Sequence, residues 1–298
     1  MNPTTPEVEE CNGEGLLRRM LRRVVGSRRD AGEARYEPRL YVRLFLGHVF
    51  PIDLPLFMPM DFSRFTTISF DCYGTLIDWE SGILPTLQTV LGSHGLSLPS
   101  AAILELYGEF EAKAESGPYQ SYRDVLQSVV RAFADRFHFQ ASSAEILSLH
   151  ESLHAWPVFP DTVPALRQLQ KRYKLVVISN IDDDLFAETR KHLGVEFDGV
   201  ITAEQARSYK PSLNNFQMAL GTLALSPDRL LHVAQSVYHD VVPARSLGVS
   251  TVWVNRKSAR PGIGAVRASA ALAAERRPDL EVPDLASLAA AVMARTQD

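Results

Sequence analysis

An apolar, β-branched run that breaks into an aspartate and a glycine turn constrains this chain more than any other stretch: Ile68-Ser69-Phe70-Asp71-Cys72-Tyr73-Gly74-Thr75-Leu76-Ile77-Asp78. A strand ending this way exposes one carboxylate, that of Asp71, at its tip. Gly74 permits a tight turn whose backbone N–H groups are expected to face that carboxylate. Taken alone, an acid at a strand end is ordinary. Three further signals follow it in order: Val176-Val177-Ile178-Ser179-Asn180, then Ser208-Tyr209-Lys210-Pro211, then Leu231-His232-Val233-Ala234-Gln235-Ser236-Val237-Tyr238-His239-Asp240.

Beyond residue 65 the sequence alternates buried-strand patterns with amphipathic helices, as in a parallel α/β sheet. Strands are predicted at Thr67–Phe70, Leu175–Ser179, Gly199–Thr202, Leu230–Ala234 and Ser250–Val254. Helices are predicted to begin near Asp161, Asp182, Ser212 and Asp240, residue types suited to N-caps. Each polar motif then falls at the carboxyl end of a strand, where open α/β sheets place their ligands. The interval between the first two motifs is too long for a simple crossover, and 83–159 reads as a helical insertion. Within it Ile103, Tyr107, Phe110 and Ala114 share one helical face, as do Tyr122, Val125, Val129 and Phe133. Trp156 to Asp161 is the expected return hinge, and the chain after Pro278 is expected to form a short edge element and a closing helix.

The 298 residues carry a formal net charge of -4, which gives no reason to expect nucleic acid or a membrane surface as partner. Two cysteines, Cys11 and Cys72, fit a reducing compartment, hence a cytoplasmic location, and Cys72 is expected to be a buried, inert thiol. Residues 1–60 mix clustered arginines with preceding glutamates and read as a flexible or non-family extension, too acidic for a transit peptide. The apolar segment from Tyr41 to Met60 is interrupted by Arg43, His48, Asp53 and prolines, and is too broken for a membrane span of about 20 residues.

The four motifs, covering roughly residues 65–256, resemble the haloacid dehalogenase superfamily and within it type II (S)-2-haloacid dehalogenases. The resemblance implies a Rossmann-like parallel sheet core, 61–82 with 160–298, and a helical cap, 83–159, inserted after the first strand. It implies a hydrolase in which Asp71 is a covalent nucleophile, with Thr75, Ser179, Lys210 and Asp240 as the other catalytic residues. Tyr73, Asn180, Tyr107, Phe110 and Arg123 are the expected substrate-binding residues, with Trp79, Tyr119, Tyr122 and Phe216 as further candidates for the apolar wall. His239 stands outside the core set.

Two departures separate the chain from the superfamily's phosphatases. These carry an acid two residues after the nucleophile, where Tyr73 stands here, and an aspartate pair in the last motif, whose first member is here Gln235. Magnesium prefers hard, charged oxygen ligands, and this pattern has lost one. The expected activity is therefore metal-independent hydrolysis of a small organic acid through an aspartyl ester, with no cofactor and a possible homodimer. The alternatives are a phosphatase, with weak magnesium binding, and a non-catalytic binding protein of the same fold. The dehalogenases also place an arginine on the first cap helix. The comparable stretch, Leu106 to Lys113, has none, and Arg123 is the expected substitute.

Overall fold

The structure is a computed structural model that describes residues 60–256 and 277–294, together with the backbone of two short strands. The chain divides into Met1–Met58 and Pro59–Asp298. In the first unit β1, Tyr41–Arg43, pairs antiparallel with β2, Val49–Pro51, Tyr41 lying opposite Pro51. The rest of the expectation for residues 1–60, Met60 apart, lies outside the described residues.

The second unit is built on a six-stranded sheet. Its strands are β3 (Thr67–Phe70), β4 (Lys174–Ser179), β5 (Gly199–Thr202), β6 (Leu230–Ala234), β7 (Ser250–Val254) and β8 (Leu280–Val282). Their order is β5-β4-β3-β6-β7-β8, and every ladder is parallel. Every residue of β3 and β6 is buried, as expected of strands covered by helices on both faces. From β3 the chain winds outward through β4 and β5, then returns to β6 on the other side of β3. The reversal opens a crevice at the carboxyl ends of β3 and β6, beside Asp71.

Four α-helices make up the insertion between β3 and the core helix at Thr162: α1 (Trp79–Ser93), α2 (Ser100–Glu115), α3 (Tyr122–Phe137) and α4 (Ser143–Ser152). The α3 stripe of Tyr122, Val125, Val129 and Phe133 is buried, and Ile103 and Tyr107 of α2 are buried with it. The insertion starts earlier than the periodicity suggested, at Trp79, because the Asp78 carboxylate caps the first turn of α1 through Ser81 N at 3.4 Å. Gly82 on α1 answers to packing: a Cβ there would sit 2.3 Å from Trp156 Cγ, so only glycine lets that indole close on the helix.

On the core side, helices Thr162–Leu169 and Asp183–Thr189 begin beside Asp161 and Asp182. Neither aspartate caps its own helix. Asp182 instead accepts from Tyr122 N at 2.8 Å and Arg123 N at 2.9 Å, so a core carboxylate caps the cap helix α3. Asp161 accepts from Leu285 N at 2.7 Å and pairs with Arg256 at 3.1 Å, while Arg256 Nε donates to Thr75 O at 3.0 Å. The expected edge element and closing helix are present as β8 and Leu285–Ala294. No helix among the described residues is long and apolar enough to cross a membrane.

Candidate active site

Asp71 follows β3 directly and is nearly buried, with 8% exposure. Its Oδ2 accepts from Thr75 Oγ1 at 2.7 Å, and its Oδ1 from Lys210 Nζ at 2.9 Å. Gly74 takes a positive φ of 95°, so the turn needs it. Four of the turn's N–H groups are committed elsewhere, however: Gly74 N donates to Ile77 O, while Thr75, Leu76 and Ile77 donate to Cys72 O. The Thr75 hydroxyl faces the carboxylate instead, and is itself positioned by accepting from Gln235 N at 2.9 Å. Burial pushes the Asp71 carboxyl up, opposed by the ammonium of Lys210.

Lys210 is buried, and its three ammonium protons are matched by three acceptors: Asp71 Oδ1, Asp240 Oδ1 at 2.6 Å and Ile178 O at 2.9 Å. Burial alone would neutralise it, yet the two carboxylates raise its pKa and keep it charged. Asn180 holds the lysine's backbone from both sides, accepting from Lys210 N at 2.8 Å and donating to Lys210 O at 3.2 Å. Asp240 arrives on a wide turn, Val237–Val241, in which Val241 N reaches back five residues to Ser236 O at 3.3 Å. Burial works against Asp240's charge, but Lys210 and the hydrogen bond from His232 hold its pKa at about 2.

His232 is the residue that sequence reasoning missed. Parallel register places it opposite Ser69 on the adjacent strand, and both are fully buried. Its Nε2 lies 3.0 Å from Asp240 Oδ1 and its Nδ1 2.8 Å from Ser69 Oγ. An ionised carboxylate only accepts, so Nε2 donates to Asp240, while Nδ1 and the Ser69 hydroxyl form the second hydrogen bond of the ring. A chain of polar contacts therefore runs from Ser69 through His232, Asp240 and Lys210 to Asp71. His232→Phe keeps the ring volume and removes the donor. The expected loss is about 1.5–3 kcal/mol of transition-state stabilisation, the range for a hydrogen bond to a charged group. It is measured as a fall in kcat with little change in KM, and an unchanged kcat would show that the ring only packs.

Above these groups lies a cavity of about 610 Å³, lined from the core by Asp71, Ser179, Asn180, Lys210 and Asp240 and from the cap by α2. The Ser179 hydroxyl is buried in this wall and has no partner among the described residues. Tyr73, Trp79, Tyr107 and Tyr122 line the cavity as expected, and so does Trp156. Tyr73 is fixed by its hydroxyl, 2.7 Å from Thr189 Oγ1. His239 also lines the cavity, and burial lowers its pKa, so the ring is neutral near pH 7. Cys72 is buried and free, and burial pushes its thiol pKa up.

Four sequence expectations fail here. Arg123 does not line the cavity: its guanidinium pairs with Asp184 at 2.7 Å, on the outside, because its backbone N–H is tied to Asp182 at the start of α3. Phe110 is two residues from the cavity-lining Gly108, about 200° around the helix, and its ring packs edge-on against Phe133. Tyr119 stacks on Tyr209, and Phe216 lies in the core beneath the sheet, edge-on to His232.

Comparison with known proteins agrees with this architecture. The chain is 27% identical over 201 residues to (S)-2-haloacid dehalogenase H-109 of Pseudomonas putida, covering 64% of this chain and 86% of that protein. It is 23% identical over 199 residues to haloacetate dehalogenase H-2 of Moraxella sp. (strain B), covering 65% of this chain and 87% of that one. The solved structure of L-2-haloacid dehalogenase from Xanthobacter autotrophicus superimposes with a TM-score of 0.62 at 18% identity, over 78% of this chain and 100% of that one, a likeness of fold. The family profile for haloacid dehalogenase-like hydrolases matches residues 65–248, and this chain belongs to that family of hydrolases.

Proposed function

We propose that the protein hydrolyses a carbon–halogen or related bond of a small organic molecule through an ester on Asp71, without a metal. The observation that carries the proposal is the setting of Asp71, a buried carboxylate at a cavity floor with one oxygen on Lys210 and the other on Thr75. In the first step an Asp71 oxygen bonds to the substrate carbon, and the halide leaves with the bonding pair. Halide needs no proton, which suits Tyr73 at the position where phosphatases keep an acid. In the second step water adds to the Asp71 carboxyl carbon, the tetrahedral intermediate collapses, and the alcohol leaves. Its oxygen is the one that attacked, so Asp71 regains one oxygen from water. Ser179, with its unpartnered hydroxyl, is the donor suited to the oxyanion of that intermediate. Asp240 gives its Oδ1 to Lys210 and His232, so the groups at the cavity that can take the water proton are its second oxygen and the ring of His239.

Metal independence rests on the donor set. Both carboxylates that remain, Asp71 and Asp240, give one oxygen to the same ammonium, and Gln235 adds an amide in place of a charge. The resemblance implies an organic acid as substrate, and Arg123, the residue expected to meet its anionic group, lies outside the cavity. A non-catalytic role fits poorly with a charged lysine buried against a nucleophile beside a roomy cavity.

One experiment tests the ester. In a single turnover in ¹⁸O water, run with enzyme in excess on a substrate found by halide release, the peptide containing Asp71 is expected to gain mass. Turnover is expected to survive a chelator. Label in the product alone would refute the nucleophile, and chelator-sensitive release of phosphate would establish a phosphatase.

A further inference from the structure

Thr75 steadies the nucleophile, and two side chains from the end of β7 reach it by separate routes. Trp253 Nε1 donates to Gln235 O at 2.9 Å, and Gln235 N donates to the Thr75 hydroxyl, also at 2.9 Å. Arg256 takes hold of the main chain instead: its Nε donates to Thr75 O at 3.0 Å, and its Nη2 donates to the same oxygen. The hydroxyl between these two ties donates to Asp71 Oδ2 at 2.7 Å. Thr75 is fully buried, and it is held at both its side chain and its carbonyl.

The same guanidinium holds the return hinge of the cap. Its Nη1 donates to Asp161 Oδ1 at 3.1 Å and its Nη2 to Asp161 Oδ2 at 3.3 Å, while its centre lies 3.7 Å from the centre of the Phe159 ring. The chain entering the cap and the chain leaving it already lie side by side here. Asp78 N donates to Pro157 O at 2.8 Å, and Leu76 O accepts from Phe159 N at 3.1 Å and from Thr162 Oγ1 at 2.9 Å. Arg256 joins the two at the point nearest the nucleophile. Only a planar fork of donors can meet a carbonyl along one edge and a carboxylate along another, and an ammonium has no such fork. The side chain is 11% exposed and does not line the cavity, so it has no contact with what the cavity holds.

We infer that Arg256 is a positioning residue for the reaction at Asp71: it pins the Thr75 carbonyl to the return hinge of the cap and so sets the hydroxyl that orients the attacking carboxylate. The inference rests on Asp71 being the reacting group, the reading proposed above. Because Arg256 acts through Thr75 and not on the substrate, its loss falls on kcat and spares binding. The nucleophile is also correctly held only when the hinge is in place, since Asp161 occupies the other edge of the same fork.

Arg256→Lys in the whole protein tests this, because it keeps the charge and gives up the fork. On a substrate found by halide release, kcat is expected to fall about 10–100-fold while KM stays within about twofold of wild type. In a Thr75→Val background the same substitution is expected to cost less than about threefold, because the hydroxyl it positions is gone. A further measurement needs no turnover: titration of the Asp71 carboxyl by NMR in protein labelled with ¹³C at aspartate, its signal identified by its loss in Asp71→Asn. The Thr75 hydroxyl favours the charged carboxylate, so a loosened Thr75 is expected to move the Asp71 midpoint to higher pH, in Arg256→Lys as in Thr75→Val. Lys210 and Asp240, the charged groups that also face Asp71, stay in place in both variants. This titration can fail while the ester on Asp71 stands, and the reverse. Wild-type kcat in Arg256→Lys overturns the inference, as does an equal loss in the Thr75→Val background or an Asp71 midpoint that does not move. If Arg256→Lys melts too low to assay, Arg256→Gln is read by the same measurements against the same outcomes.

Discussion

Asp71→Asn is expected to abolish turnover, by a factor on the order of 10⁴ or more, while melting near the wild-type temperature. The amide has the shape of the carboxylate; with its oxygen toward Lys210, its NH₂ faces the Thr75 hydroxyl, which can accept it. It has no charged oxygen to attack carbon. Lys210 keeps Asp240 and Ile178 O, so removing Asp71's charge leaves no buried cation alone. Burial disfavours that charge in the first place, which is why stability is expected to change little. Kinetics and calorimetry on one preparation check both halves. Residual activity within about tenfold of wild type would remove Asp71 from the covalent step.

Lys210→Met is expected to do the reverse with stability. It leaves Asp71 Oδ1 and Asp240 Oδ1 facing each other in a buried site without the ammonium that joins them. Removing one partner of a buried charge cluster costs about 3–5 kcal/mol of folding stability. Turnover is expected to fall by about 10²–10³, since an electrostatic partner of the reacting group is lost. The pH profile should move as well. Lys210 lowers the Asp71 pKa, so its loss raises that pKa, and the acid limb of kcat/KM moves to higher pH. Adding Asp71→Asn is expected to restore part of the lost stability, because one of the two stranded carboxylates is then neutral. A Lys210→Met protein as stable as wild type, with its acid limb in place, would show that the three groups do not act as a unit.

The sheet and its four motifs were legible because each element is a local pattern. Thr67–Phe70 and Leu230–Ala234 are short apolar runs that end at a polar residue, and parallel strands buried on both faces read that way without any partner in view. Asp71 ends such a run, Thr75, Lys210 and Asp240 stand in the short polar motifs read beside it, and the structure brings the four together. What was not legible depends on register and on rotation about helices. His232 in a run of leucine and valine reads as packing. Only the pairing of β3 with β6 sets it against Ser69, which is 163 residues earlier. Arg123 was expected to replace the missing cap arginine, but Asp184 and Asp182, about sixty residues on, hold it outside the cavity. Phe110 shared a hydrophobic face with Tyr107, but its ring packs edge-on against Phe133 of α3 while Tyr107, Gly108 and Glu111 line the cavity. Hydrophobic periodicity finds the buried side of a cap helix, and this helix has a second, polar working side.

The Asp182 carboxylate ties two parts of the molecule into one cooperative unit. The first turn of α3 takes its hydrogen-bond acceptors partly from the core, through Tyr122 N and Arg123 N, and partly from Ser121, whose hydroxyl accepts from Asp124 N. Unfolding the core would strip two acceptors from the cap, whose helix would then fray from its start. The insertion is therefore expected to show no melting transition of its own, although a long excursion between two strands invites the picture of a separable module. Its order is borrowed from the sheet beneath it, and heat is expected to dissolve both together.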